Sequence, residues 1–423
     1  MLNLVVISLT VECRTLQFPR NLYQNDSAFS VIFTQAGFNK FALKYLTNND
    51  KIIGRKLPDQ IFKINLGPTS IDLQLTDMFI SDFQVTKAYI IMDGDSRLVM
   101  NIVNASAAIS LQWRFQQSSY PYIHDQGSGK ISIKEVSFHL TMSTKCTYDD
   151  CPNRVVSDVS NVQIEIGIIN IQLSGGESWI YQSMIDIVIG AVKDSLVATI
   201  QDFIKETLIY ELNSIFIYYR PTMNYESYPD VVKDERQVTG WYVGKGFGAM
   251  MYSGYLYNQN NYSDEYVSVG MIEPMVMNRF NHDMQVYLHA AGFNNLYYIF
   301  HKYYDSYSTA GFKVLSAPYV EFYNQQALLT IDLLFNEQKY IVKYTGQPKA
   351  TFKDKQNCFY FTLQKYDIYP SNEELNDQVL SFLNEQMKST CYQMMNTPFF
   401  DVSTLPHVFV QEENALRFLG NLG

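Results

Sequence analysis

The residue types able to do chemistry in this chain are few and scattered. Six histidines occur, at His124, His139, His282, His289, His301 and His407. A zinc hydrolase would need two of them one helical turn apart beside a glutamate, and no H-E-x-x-H is present. His282, His289 and His301 flank one expected helix, a pattern more often met in core or surface histidines than in metal ligands. Gly244-Lys-Gly-Phe-Gly248 has the glycines of a phosphate-cradling loop. It lacks both the Gly-Lys-Ser/Thr ending and a strand–turn–helix setting, so it reads as a strand and turn. The esterase elbow G-x-S-x-G is absent. The five cysteines, Cys13, Cys146, Cys151, Cys358 and Cys391, include no C-x-x-C pair, which removes the usual zinc and dithiol patterns. The expectation is no catalytic residue, no metal and no cofactor.

What the chain does offer is apolar surface. Of 423 residues, 47% are hydrophobic and 15% aromatic, with Tyr 32 and Phe 27, while only 17% are charged. The net charge of −10, with neither half basic, argues against nucleic acid and anionic membranes as partners. No run reaches the ~18 apolar residues of a membrane span. The segment Leu2-Asn-Leu-Val-Val-Ile-Ser-Leu9 reads either as the apolar part of a signal peptide without a basic start or as a first strand. Sequons at Asn25, Asn104 and Asn261 lean toward a secretory route.

These apolar residues need elements to position them. Helical spacing predicts a short helix over 33–47, with Phe38, Phe41, Ala42 and Tyr45 on one face. Period-two alternation predicts strands at Phe62-Lys-Ile-Asn-Leu66, Ser70-Ile-Asp-Leu-Gln-Leu75, 130–140 and Val162-Gln-Ile-Glu-Ile166. Asp93-Gly94 and Gln126-Gly-Ser-Gly129 read as turns. Ser174-Gly-Gly-Glu177 has the form of a capping box opening one very long helix to Tyr219, with Leu196, Ile200, Leu208 and Leu212 on its stripe. Forty-odd residues at about 1.5 Å each reach roughly 60 Å, so that helix needs an equally long apolar trough. The polar stretch 220–235 reads as a linker. After it come strand-like segments near Trp241 and at Tyr266-Val-Ser-Val269, a helix over 284–304, and strands at 319–322, 328–333 and 358–363. A capping-box helix follows from Ser371, with Leu375, Val379, Phe382, Leu383, Met387, Cys391 and Met394 on its stripe, and a last strand at 407–410. The order of short helix, antiparallel strands and longer helix therefore occurs twice, an α+β pattern.

The order of several stretches resembles the family of bactericidal/permeability-increasing, LPS-binding and cholesteryl-ester-transfer proteins, within the tubular lipid-binding (TULIP) superfamily. The stretches are Thr34-Gln-Ala-Gly-Phe-Asn-Lys-Phe-Ala-Leu43, Leu57-Pro-Asp59 through Ile64 and Gly67, Ala107-Ala-Ile-Ser-Leu-Gln-Trp-Arg114, Trp179, Met284-Gln-Val-Tyr-Leu288 and Ala317-Pro-Tyr-Val-Glu-Phe322. Together they span roughly residues 28–420. The resemblance implies an elongated two-barrel boomerang, each barrel a twisted antiparallel sheet wrapped around a long helix, with a central sheet between them. It divides the chain into an N-terminal segment 1–27, an N-terminal barrel 28–222, a linker 223–237 and a C-terminal barrel 238–423.

The resemblance also implies a lipid-binding or lipid-transfer protein, with no chemical step. Phospholipid or a similar amphipath would lie in apolar pockets. The implied lining is Phe38, Phe41, Ala42 and Tyr45 with Met184, Ile187, Val188, Ala191 and Val192 in the first half. In the second half it is Phe293, Leu296, Ile299, Phe300 and Tyr303. The family staples its first barrel with a disulfide from a strand to the long helix. Here Cys146 or Cys151 could be the strand member, but Gln201 stands near the helix position, so that staple is absent and Cys146 and Cys151 are left to pair locally. Cys358 and Cys391 form an analogous pair in the second half. The basic tips of the antibacterial members are missing, so LPS binding does not carry over. Expected partners are lipid and a transient membrane surface. The competing reading is a structural or protein-interaction module, with a protein partner or self-assembly, whose pockets are filled by aromatics. The expected location is secreted, or the lumen of the secretory or endolysosomal pathway.

Overall fold

The computed structural model describes residues 27–47, 53–65, 70–92, 97–120, 122–147, 154–176, 222–225, 228–235, 237, 242–261, 282–323, 326–353, 356–395, 408–412 and 415–420, together with 197–198, 200–202 and 205–206. It has two curled antiparallel sheets with helices, joined by a central sheet.

The first curled sheet is a five-stranded meander: β2 (Gln60–Asn65), β3 (Ser70–Met92), β4 (Leu98–Gln117), β5 (His124–Thr147) and β6 (Arg154–Ser174). The strand expected at 62–66 corresponds to β2, and the other expected short strands are parts of the much longer β3, β5 and β6. β3, with 23 residues at about 3.3 Å each, extends up to roughly 75 Å. Residues alternate between a buried and an exposed face, and bulges between Thr76 and Phe79 and between Ile102 and Ala105 let the sheet curl. Gln126-Gly-Ser-Gly129 is not a turn but lies within β5. Gly127 is there because a Cβ would sit 2.2 Å from the Ser174 carbonyl and 2.8 Å from Nε1 of Trp113.

The long helix does not begin at Ser174. That residue ends β6, paired with Ser128, and its carbonyl accepts from Trp113 Nε1 at 3.3 Å. Gly175 and Gly176 follow with φ of 85° and 53°, a left-handed turn that no right-handed helix start can contain. Helical backbone is present at 197–198, 200–202 and 205–206. The rest of the expected helix, Leu196 included, lies outside the described residues, as do Asp93-Gly94, Trp241 and the segment at Tyr266.

The central sheet has the order β19 (Val408–Glu412), β20 (Ala415–Gly420), β12 (Met284–His289), β1 (Phe29–Thr34), β10 (Phe247–Tyr252) and β9 (Tyr242–Gly244). β1 ends the extended run before α1 (Gln35–Thr47), so Phe33 belongs to a strand and not to the helix. The expected helix over 284–304 is a strand followed by α2 (Ala290–Tyr304). Met284-Gln-Val-Tyr-Leu288 is buried on both faces, and a short apolar run carries no period that separates strand from helix. The expected linker is also folded. β7 (Thr222–Tyr225) and β8 (Tyr228–Asp234) pair, and β11 (Leu256–Asn258) completes a three-stranded sheet.

The second curled sheet comprises β13 (Lys313–Val314), β14 (Tyr319–Tyr323), β15 (Gln326–Phe335), β16 (Gln338–Lys353), β17 (Gln356–Tyr369) and β18 (Tyr392–Met395). α3 (Glu373–Ser389) packs on β17. Its cap is Asn372 and not Ser371: Asn372 Oδ1 accepts from the Leu375 amide at 3.1 Å. The helix ends at Ser389, so Cys391 lies beyond it and Met394 falls in β18. Cys391 is bonded to Cys358 of β17, with Cα atoms 5.5 Å apart across 33 residues. Closing such a loop contributes roughly 3–4 kcal/mol in the chain-entropy view. The Cys146 side chain and Cys151 lie outside the described residues.

Asparagines fasten the helices to strands. Asn295 of α2 accepts from the Leu256 amide at 2.6 Å and donates to its carbonyl at 3.3 Å. Asn294 does the same to Val320, and Asn384 of α3 to Leu363. Asn39 of α1 accepts from Ile90 of β3 at 2.6 Å. The amides of Asn295, Asn294 and Asn384 each serve both the N–H and the C=O of one strand residue, and Asn39 serves one N–H, satisfying backbone groups that a helix cannot reach.

α2 is capped by His289, whose Nδ1 accepts from the Ala291 amide at 3.1 Å. Burial pushes the His289 pKa below its ordinary 6.5. His301 is also lowered, chiefly by burial, with Asp305 opposing. In acid the unfolded chain then binds protons that the folded one does not, so stability falls as pH drops below about 6.5. The thermal midpoint should fall by a few degrees between about pH 7 and about pH 5. His289→Asn, which keeps a capping acceptor, should remove part of that fall; an unchanged pH dependence in the variant would exclude His289 as its source.

Candidate functional site

The buried face of β2–β6 is built in rungs across the strands. Ile80, Ile109, Ile131 and Ile171 form one rung in register, all four buried. Ala88, Ile102, Phe138 and Ile164 form another, and Met92, Leu98 and Met142 a third. β-branched and long apolar side chains suit a pleated, one-sided surface. Among the described residues of this sheet, Thr141 is the one buried polar side chain, and no charged group faces in. Trp113 stands toward one end, its Nε1 donating to the Ser128 carbonyl at 3.0 Å.

Two described elements lie against this face. α1 crosses β3 near Ile90, and Phe38 packs edge-on against Phe33 at 5.1 Å between ring centres, near Met92. Lys40 of α1 pairs with Asp283 at 2.7 Å, which ties the helix to the central sheet. On the other flank, Val197 and Ile200 pack against the core, and Gln201 makes a long 3.5 Å bond to the Val162 carbonyl of β6. Gln201, standing where the resemblance would place a cysteine, thus faces β6, whereas Cys146 belongs to the neighbouring β5.

Of the expected lining, Phe38 stands at this face. Phe41, Ala42 and Tyr45 lie in α1, but their side chains are outside the described residues, as are Met184, Ile187, Val188, Ala191 and Val192 altogether. Phe293, Leu296, Ile299 and Phe300 are buried in the second half, and Tyr303 is half-buried. Phe293 is packed against Phe361 at 4.9 Å, Tyr392 at 5.3 Å and Phe322 at 6.1 Å, and Phe300 meets Tyr228 and Tyr225. These contacts are those of an aromatic core. The sheet's own inward residues, which dominate the first face, were not singled out from the sequence. Their period-two alternation was the available signal.

The arrangement can hold hydrocarbon and can exclude water, and among the described residues it presents no charged group to a headgroup. No family model matches the chain. A protein of Arabidopsis thaliana described as a BPI/LBP family member is 26% identical over 200 residues, 45% of this chain and 38% of that protein. The alignment thus spans well under two thirds of the relative's length. The crystal structure of a lipopolysaccharide binding protein superposes with a TM-score of 0.63 at 11% identity, covering 94% of this chain and 99% of that one. The fold is thus that of a TULIP-like boomerang, and a 200-residue stretch of the sequence is similar to a BPI/LBP family protein.

Proposed function

We propose that the chain binds phospholipid or a similar amphipath, with acyl chains against the concave face of β2–β6, and carries or transfers it. The carrying observation is that face: five strands of buried apolar side chains, with no buried polar side chain among the described residues of β2–β6 except Thr141, which pairs with Val99 on the other face. Burying a CH₂ contributes about 0.8 kcal/mol, so two acyl chains need no charged contact to be held. Phe38, with Phe41, Ala42, Tyr45 and the residues 184–192 named above, would complete the trough, within the N-terminal half proposed at 28–222. In the second half the aromatic core around Phe293 favours the filled-pocket reading, so lipid is expected in the first half alone. The Cys358–Cys391 bond supports an oxidising, secretory or endolysosomal location.

Native mass spectrometry of purified protein tests this. About one phospholipid per chain is expected, and a photoactivatable acyl chain should label peptides of β3–β6 and none from 290–304. Protein that is empty and also refuses fluorescent phospholipid would sink the reading. The same intact mass, inspected for glycan at Asn104 or Asn261, tests the secretory route.

A further inference from the structure

The turn between β4 and β5 is at the end of the first sheet remote from the central sheet; the opposite end is bonded to it through the Gly246 amide and Met92 carbonyl at 3.2 Å. Three large side chains stand out there: Tyr120 is 86% exposed, Tyr122 64% and Ile123 46%. The turn is firmly held. Tyr122 donates to the Ser119 carbonyl and Gln117 to the Ile123 carbonyl, each at 2.8 Å, and Ser118 and Ser70 share a 2.6 Å hydroxyl contact. The Tyr120 and Tyr122 rings meet edge to face at 6.4 Å, presenting one apolar group. Tyr122 adopts a φ of 51°, unfavourable for a bulky residue. Between Arg114 and Lys130 the sequence has no Lys or Arg, and Asp125 is its one acid. An anionic surface would gain nothing here. Tyrosine, with its apolar ring and polar tip, suits the headgroup layer of an uncharged-on-balance bilayer. Just behind the turn, Phe115 and Ile71 point into the concave face, so the apolar track runs out at this tip.

We infer that Tyr120, Tyr122 and Ile123 seat the molecule in the headgroup layer of a zwitterionic lipid surface, setting the end of the concave face against the lipid source. This rests on the lipid-binding reading, and the two are read out separately. The full chain is floated with phosphatidylcholine vesicles while its bound lipid is measured by mass spectrometry. The wild type should float. The triple variant Y120S/Y122N/I123T, with asparagine chosen for the left-handed backbone, should partition at least about tenfold less, with thermal midpoint and bound lipid unchanged. Tyr120→Ser alone, at so exposed a position, leaves the fold untouched and should lose several-fold. Adding phosphatidylserine should not strengthen flotation. The inference is overturned by a wild type that stays at the bottom of the gradient, by variants that float equally, or by vesicle-independent self-association that the triple variant abolishes, which would assign the tip to a second copy. Loss of bound lipid from the wild type would instead count against the function proposed above.

Discussion

Lys233→Ala is expected to destabilise the protein by about 3–5 kcal/mol. The Lys233 side chain is fully buried, with Nζ 2.8 Å from Glu235 Oε1 and 2.6 Å from the Gln393 carbonyl. Its ammonium also lies over the rings of Tyr392 at 4.2 Å and Phe29 at 4.7 Å. Burial pushes the ammonium's pKa below its usual range, with Glu235 opposing. Truncation strips a buried carboxylate of a charged partner, and that uncompensated charge is the main cost. The double variant Lys233→Met with Glu235→Leu should recover most of the loss, because removing both charges also removes both desolvation penalties. Urea unfolding of the wild type, Lys233→Met, Glu235→Leu and the double variant measures the cycle. Additive losses would mean that the pair is not the coupled unit the distances describe.

Ile109→Asp should be at least as severe. Ile109 is the centre of the isoleucine rung, flanked by Ile80 and Ile131 in register. A carboxylate there must be held on a dry face without a partner, a cost of at least about 4 kcal/mol unless it stays protonated. Either the sheet unfolds or the trough loses its lipid, and both urea midpoint and bound phospholipid should fall. Gln112→Asp, in the same strand but on the exposed face, is the control and should change neither. An Ile109→Asp protein as stable and as lipid-loaded as wild type would remove the concave face from the function.

The strands were legible because one face of each is wet. The alternation through Ser70–Leu75 and 130–140 is a direct imprint of that asymmetry. Where both faces are buried the imprint vanishes. Met284-Gln-Val-Tyr-Leu288 therefore read as helix, and β7 and β8, polar in composition, read as a linker although Lys233, Asp234 and Glu235 are buried by partners distant in sequence. The glycines at Gln126–Gly129 read as a turn because sequence cannot show an indole lying over them. The Cys358–Cys391 pairing, implied by the family resemblance, is present. The helix ends were less legible: the stripe through Cys391 and Met394 continues past Ser389 because β18 is apolar too. For the candidate site, helix faces drew attention and the sheet did not, since alternation signals a strand without saying what its buried side will hold.

β1 lies between β10 and β12, and β12 in turn pairs with β20 near the other end of the chain. Ser27, just before β1, already bonds to Tyr252 across 225 residues. A nascent chain leaving the ribosome thus completes the meander of β2–β6 from consecutive strands long before β1 has either neighbour. Until β10 is made, a strand of Phe-Ser-Val-Ile-Phe-Thr carries two open edges, and until β12 is made it carries one, the kind of segment that recruits foreign strands. The same arrangement that joins the two halves leaves β1 waiting for partners more than two hundred residues away, so chaperone protection during synthesis would act there.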